Sequence, residues 1–297
     1  MIIAPTTVVE LLDLFYADWI KCAELLELLA HLQGVKRVVR LVADPQRREA
    51  LLSFLSRASL QYRVSDFGLQ TEFSTSLGDT FQRITPLRDP RGDCVLFVGS
   101  PDATAKAHAM ELGGADALSC GEAYEYPACC AASYVSLQEG TPWVVRFLQE
   151  IEPAAFLAWQ TNKLASLYPP HLTIIPDFFP CSIRCPSTSA LASQYEQLLI
   201  DAGLNELRDL IAAELHRPLL VHGGWIYRFE TLEWRCTSTH GHVGRVAFVP
   251  LRASPPQPPL RIMGLSLGHG VVELVVSAAD GAQEAVVADG PLLRFSS

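Results

Sequence analysis

The chain has little of what a polyanion-binding protein needs. Of its 297 residues, 23 are Lys or Arg against 32 Asp or Glu, which leaves a formal charge of −9, and no dense basic run occurs. Affinity for nucleic acid rests on cations that neutralise phosphates, so this balance argues against a nucleic-acid partner. The nearest thing to a basic stripe, Lys36, Arg37 and Arg40 with Arg47 and Arg48 behind it, reads as a solvated face. Long apolar runs are also lacking. The stretch "VVELLDLFYADWIKCAELLELLAHLQG" is rich in leucine, but Asp13, Asp18, Lys21, Glu24 and Glu27 interrupt it at helical spacing. That pattern predicts one amphipathic helix and excludes a signal peptide or a membrane span there.

Phosphate-cradling G-x-G-x-x-G and G-x-x-x-x-G-K-[ST] loops are missing, as is the H-E-x-x-H helix of metalloproteases. With no export signal in view, the expected compartment is cytoplasmic. A cysteine there is by default a free thiol or a metal ligand, not half of a disulfide. Apolar residues at 49% and charged residues at 19% describe a folded globular chain with little room for disorder.

What the chain does contain suggests an α+β protein: a mixed α/β domain over residues 1–216 with helices covering a sheet, then a small antiparallel β domain over residues 217–297. In "KRVVRLVADPQRREALLSFLS" a strand over 37–43 runs into a helix that Asp44 caps and Pro45 opens. The same grammar returns in "CVLFVGSPDATAKAHAMELGG", with a strand over 94–99, Ser100 as cap, Pro101 at the first helical position and Gly113 past the end. Two such units favour a parallel or mixed sheet. "LQYRVSDFGL" supplies another strand, and "RITPLRDPRGD" reads as a turn-rich connection.

Residues 131–170 read as largely helical, "HLTII" at 171–175 as a short buried strand, and the stretch that follows as a long helix or a pair broken near Gly203. Beyond residue 216 alternating segments such as "WIYRFETLEW" and "VVELVVS", separated by Gly, Pro and Asp turns, predict antiparallel strands.

The chemically specific stretches are "EYPACC", with Cys129 and Cys130 behind Tyr126 and Pro127, and "FFPCSIRC", with Cys181 and Cys185 behind Pro180. Pro127 precedes a helical run and Pro186 suits the first position of the next helix, so both pairs are expected at or near helix starts. Unsatisfied amides and the positive end of the dipole there stabilise a thiolate, which favours metal ligation or nucleophilic work. Cys181 and Cys185, four apart, can converge on one ion. Adjacent Cys129 and Cys130 are expected to point in different directions, with one the ligand. Three or four such thiolates suit an iron-sulfur cluster or a tetrahedral zinc. Against this stands the ordinary use of cysteine as a small buried hydrophobe, the reading adopted for Cys22, Cys94 and Cys120.

"GEAYEYPACCAASYV" and "DFFPCSIRCPSTSALA" together resemble an uncharacterised domain-of-unknown-function family of bacteria and archaea, whose members carry a Gly-Tyr-Pro-x-Cys-Cys and a Pro-Cys-Ser-x-x-Cys stretch. The resemblance spans roughly residues 90 to 200 and brings no reaction with it. It carries over Tyr126, Pro127, Cys129, Cys130, Pro180, Cys181, Ser182 and Cys185, with Tyr126 and Ser182 as cofactor contacts. This chain has Glu125 where the family motif has Gly.

The expected function is that of a cytosolic metalloprotein with an iron-sulfur or other thiolate-held metal, acting on a small molecule in a biosynthetic or redox step. A scaffold protein with structural zinc or inert thiols, and a metal-free cysteine enzyme, are the alternatives. A second metal set, Cys236, His240 and His242 in "CTSTHGH", is weaker because a fourth ligand such as His222 or Glu233 must come from the fold. His171 is a lone candidate base, and His108 reads as surface or packing.

Overall fold

The computed structural model of the protein describes residues 4–74, 79–86, 93–137, 147, 156–164, 172–176, 178–234, 240–250, 259–268, 271–277, 283–288 and 292–296. The fold is α+β. Strands β1 (Val38–Ala43), β2 (Tyr62–Ser74), β3 (Asp79–Pro86) and β4 (Asp93–Gly99) form one sheet in the order β1-β4-β2-β3. Every neighbouring pair in it is antiparallel, in contrast to the parallel or mixed pairing expected. The reason lies in a skipped place. The crossover from β1 to β2 leaves a gap one strand wide, and β4 fills it from the opposite direction.

The helix that makes this crossover, α3 (Pro45–Arg57), starts as the sequence indicates: the Asp44 carboxylate accepts from the amides of Gln46 and Arg47 at 2.9 and 3.0 Å. The helix after β4, α4 (Pro101–Leu112), is capped by Ser100, which accepts from the Ala103 amide at 3.4 Å. Alternation along the strands divides the sheet into two faces. Val39, Leu41, Ala43, Cys94, Leu96 and Val98 join the core shared with Leu51, Phe54 and Leu55 of α3. Val38, Val95, Phe97, Phe67 and Leu69 meet Ala107 of α4 on the other face. Burial on both faces explains why β4 is an unbroken apolar run.

The leucine-rich N-terminal stretch is two helices rather than one, α1 (Pro5–Tyr16) and α2 (Cys22–Leu32). Asp18 takes a left-handed φ of 59° between them, and the Lys21 amide is capped by the Glu24 carboxylate at 2.8 Å. The basic stripe is not a single solvated face either. Lys36 is buried against Glu27, Arg40 pairs with Glu111, Arg47 with Glu24, and Arg37 with Glu125. Each of these four cations has its own carboxylate, so the stripe seen in one dimension is dispersed in three.

Four further helices carry the cysteines or pack beside them: α5 (Ala117–Ala123), α6 (Ala128–Leu137), α7 (Pro186–Asp201) and α8 (Asn205–Leu215). The break between α7 and α8 falls at Gly203, whose φ of 74° suits glycine. Part of the stretch read as helical is instead β5 (Phe156–Ala158), followed by a 3-10 turn over Trp159–Thr161. Residues 172–176 are buried as expected but form bends rather than a strand, because Thr173 Oγ1 donates to the Ile175 carbonyl and closes a local turn.

The close approach of α5 to α6 depends on Gly121, where a Cβ would lie 2.6 Å from the Cβ of Ala131. Gly121→Ala is expected to destabilise by about 1–3 kcal/mol through overpacking. Adding Ala131→Gly should recover part of the loss in denaturant unfolding curves, and no recovery would mean that the contact is not the cause.

The second sheet runs β11-β10-β9-β8-β7-β6-β12-β5. Its members are β6 (Leu219–His222), β7 (Trp225–Trp234), β8 (His240–Pro250), β9 (Ile262–Gly268), β10 (Val271–Ser277), β11 (Gln283–Val287) and β12 (Leu292–Ser296), with β5 parallel to β12 at one edge. Adjacent Leu219 and Leu220 point opposite ways: Leu219 joins the helical core, and Leu220 joins Tyr227, Phe229, Leu274 and Leu292 on the far face. Among the described residues no helix is long and apolar enough to cross a membrane.

Candidate metal centre

Pro127 opens the first half of the site. Its carbonyl accepts from the amides of Cys130 and Ala131 at 2.8 and 3.0 Å, so Cys129 and Cys130 lie in the first turn of α6. Side chains on a helix tilt toward its N-terminus, and here both sulfurs reach the space in front of it. The two Sγ atoms are 3.9 Å apart. The expectation that only one of the pair faces the site therefore fails, because two adjacent residues at a helix end can bracket one point.

The second half is a turn followed by a helix start. The Cys185 amide donates to the Ser182 carbonyl at 3.2 Å, and Cys185 is itself the N-cap of α7, with Pro186 in the first helical position. Cys185 Sγ stands 3.6 Å from Cys129 Sγ and 3.7 Å from Cys130 Sγ. The Cys181 amide donates to Cys130 Sγ at 3.4 Å. All four sulfurs lie within 4.8 Å of one another, a set that could hold a metal ion. Cys130 and Cys185 are buried, Cys181 is half-buried and Cys129 is exposed.

Their protonation is uneven. Burial works against a charged Cys185, but the hydroxyl and amide of Thr188 and the neighbouring thiols outweigh it and bring its pKa down to about 7. Burial pushes the Cys130 thiol well up, and it raises Cys181 to about 11 with help from the neighbouring sulfurs. Negative charge is thus favoured at Cys185, and a bound cation is what would let Cys130 and Cys181 ionise beside it.

Thr188 is the participant that the sequence reading missed. It is fully buried, and its Oγ1 lies 3.2 Å from Cys130 Sγ. The available signal was its place three residues after a cap position in "CPSTSA", where a first-turn hydroxyl faces the same anion-favouring space as the cap.

Tyr126 stands beside the cage, its ring 5.2 Å from that of Phe178, with the Lys36 ammonium 5.2 Å over its face. Tyr134 stacks on Phe179 at 5.7 Å, so an aromatic residue ahead of each pair packs against one from the other half. Ser182 supplies its carbonyl to the turn. Glu125 adopts a left-handed φ of 60°, the region glycine favours, and its carboxylate accepts from the Arg37 amide and Nε at 2.9 and 2.8 Å.

Away from the site, Cys22 and Cys94 are buried and Cys120 half-buried, as expected of core thiols. His108 is packed between Phe67 and Phe97, with Nε2 2.8 Å from Asp66. Cys236 and His171 lie outside the described residues, and of His240 and His242 only the strand backbone of β8 is described. The string Gly264-Leu265-Ser266-Leu267-Gly268 has the spacing of a hydrolase nucleophile motif but lies within β9, paired with β10, not in the strand-to-helix elbow that such a nucleophile needs.

Fold and site together define an α+β protein with a four-thiol centre built from two helix starts. Residues 107–214, which run from α4 to α8 and contain both cysteine pairs, match the family model described as "Protein of unknown function (DUF483)". No curated protein and no solved structure matches the chain.

Proposed function

We propose that the protein is a metalloprotein in which Cys129, Cys130, Cys181 and Cys185 hold one tetrahedral ion, zinc, as a clasp between α6, the turn over 181–185 and α7. The sulfur spacing carries this reading. Thiolates bound at ~2.3 Å to a tetrahedral zinc stand about 3.8 Å apart; the spacings among Cys129, Cys130 and Cys185, 3.6, 3.7 and 3.9 Å, straddle that value, and Cys181 Sγ lies within 4.8 Å of each. A four-iron cluster spreads its thiolates over four metal atoms and holds them much farther apart, so this cage suits one ion better than a cluster. Four protein sulfurs leave no open position, which is the arrangement of structural zinc sites. The clasp reading therefore has better support than a reacting metal.

The test is metal and sulfide analysis of protein purified without oxygen. One equivalent of zinc and no inorganic sulfide is the expected result. Iron with matching sulfide would establish the cluster instead, and metal-free protein with four freely titratable thiols would overturn both.

A further inference from the structure

Beside the centre lies a cleft of about 210 Å³, room for roughly seven water molecules at ~30 Å³ each. Its walls come from the same segments that carry the thiols. Tyr126 precedes Cys129 by three residues, Phe178 precedes Cys181 by three, and Gln194 and Tyr195 lie on α7, which Cys185 caps. The floor is charged. Lys36 and Glu27, each 5% exposed, form an ion pair there, and Tyr195 donates its hydroxyl to the second Glu27 oxygen at 3.1 Å. Glu125, bonded to Arg37, is a second carboxylate in the lining, and Val35, Phe178 and Leu191 add apolar surface.

This combination is costly as mere packing, because two charges have been taken out of water where apolar side chains would serve. It is well suited to recognition. The cleft offers an ammonium at Lys36, carboxylates at Glu27 and Glu125, an amide at Gln194 and aliphatic and aromatic walls, and the two ion pairs leave it without excess charge. A ligand matched to it carries one cation and one anion on a small body with an apolar side chain. We propose that this cleft binds a free α-amino acid, its carboxylate toward Lys36, its ammonium toward Glu125 and its side chain against Phe178 and Leu191. The site rests on the cleft's own residues, and the metal clasp is the frame that sets the spacing of its walls.

Calorimetric titration of the full chain with a panel of free α-amino acids tests the proposal, with the N-acetyl and carboxamide forms of each binder as controls. Saturable binding by apolar members is expected, weakened about ten-fold or more when either charged end is blocked, since each blocked form loses a charge-assisted hydrogen bond. Gln194→Leu, at an exposed position, should weaken binding several-fold without altering the fold. Lys36→Met combined with Glu27→Leu removes both charges together and should abolish binding. No binding by any member, or binding indifferent to the blocked ends and to the double variant, overturns the proposal. Metal content is measured on the same samples: a full metal complement without binding sinks only the cleft, and binding by metal-free protein sinks only the clasp.

Discussion

Replacing Cys185 by serine is expected to lower stability by about 3–5 kcal/mol, and to do so by losing the metal. Structural zinc contributes folding free energy outright, on the order of 10 kcal/mol in small zinc domains, but here α6 and α7 also bury their own apolar faces, so the chain should remain folded at a lower Tm. Cys185 is the position to choose because it is 2% exposed, caps α7 and touches two of the other sulfurs. Thermal unfolding with and without a chelator checks the mechanism. The unmodified protein in chelator and the variant without it should unfold close together, and chelator should add nothing to the variant. Cys129→Ser, at the exposed corner, should lower metal affinity with a smaller loss of stability. Because the ligands must lose their protons to bind, chelation should also be easier at pH 6 than at pH 8. A variant as stable as the parent, with chelator still acting on it, would remove Cys185 from the centre.

Lys36→Met alone should cost a further large amount, about 3–5 kcal/mol, because it removes the counter-ion from a buried carboxylate. The companion change Glu27→Leu in the same chain should return most of that loss, since a well-packed apolar pair often matches a buried ion pair in stability. Equilibrium unfolding in urea measures both. The pattern separates a pair kept for recognition from one kept for stability: a double variant as stable as the parent that no longer binds a zwitterion has lost function and nothing else. A double variant as unstable as Lys36→Met would show that the pair supports the fold itself.

How much of this was legible beforehand varies with the range of the forces involved. Asp44, Pro45, Ser100 and Pro101 placed α3 and α4 correctly, because capping is settled within four residues. Gly203 likewise marked the break between α7 and α8. The N-terminal stretch misled because its apolar period continues through Asp18, where the backbone turns left-handed, and periodicity does not register a single φ. The strand β5 was hidden for a similar reason: three residues are too few to show a period, and it is a strand because β12, from the far end of the chain, pairs with it. The direction of the first sheet was misjudged because pairing depends on which strand fills the gap between β1 and β2, and nothing local to either specifies β4.

The cysteine centre divides along the same line. By itself the sequence determined that two pairs of thiols stand at or near helix starts, since Pro127 and Pro186 act on the residues beside them and a helix end favours a thiolate wherever it forms. Only the tertiary structure decided that the two starts meet, that adjacent Cys129 and Cys130 both face the same point, that Thr188 lies against Cys130, and that the Lys36–Glu27 pair meets Tyr126 and Tyr195. The Cys130–Cys185 and Glu27–Tyr195 contacts join segments 55 and 168 residues apart. They exist because apolar faces on α2, α6 and α7 are buried in one core, and that burial is a non-directional force that leaves no local mark in the chain.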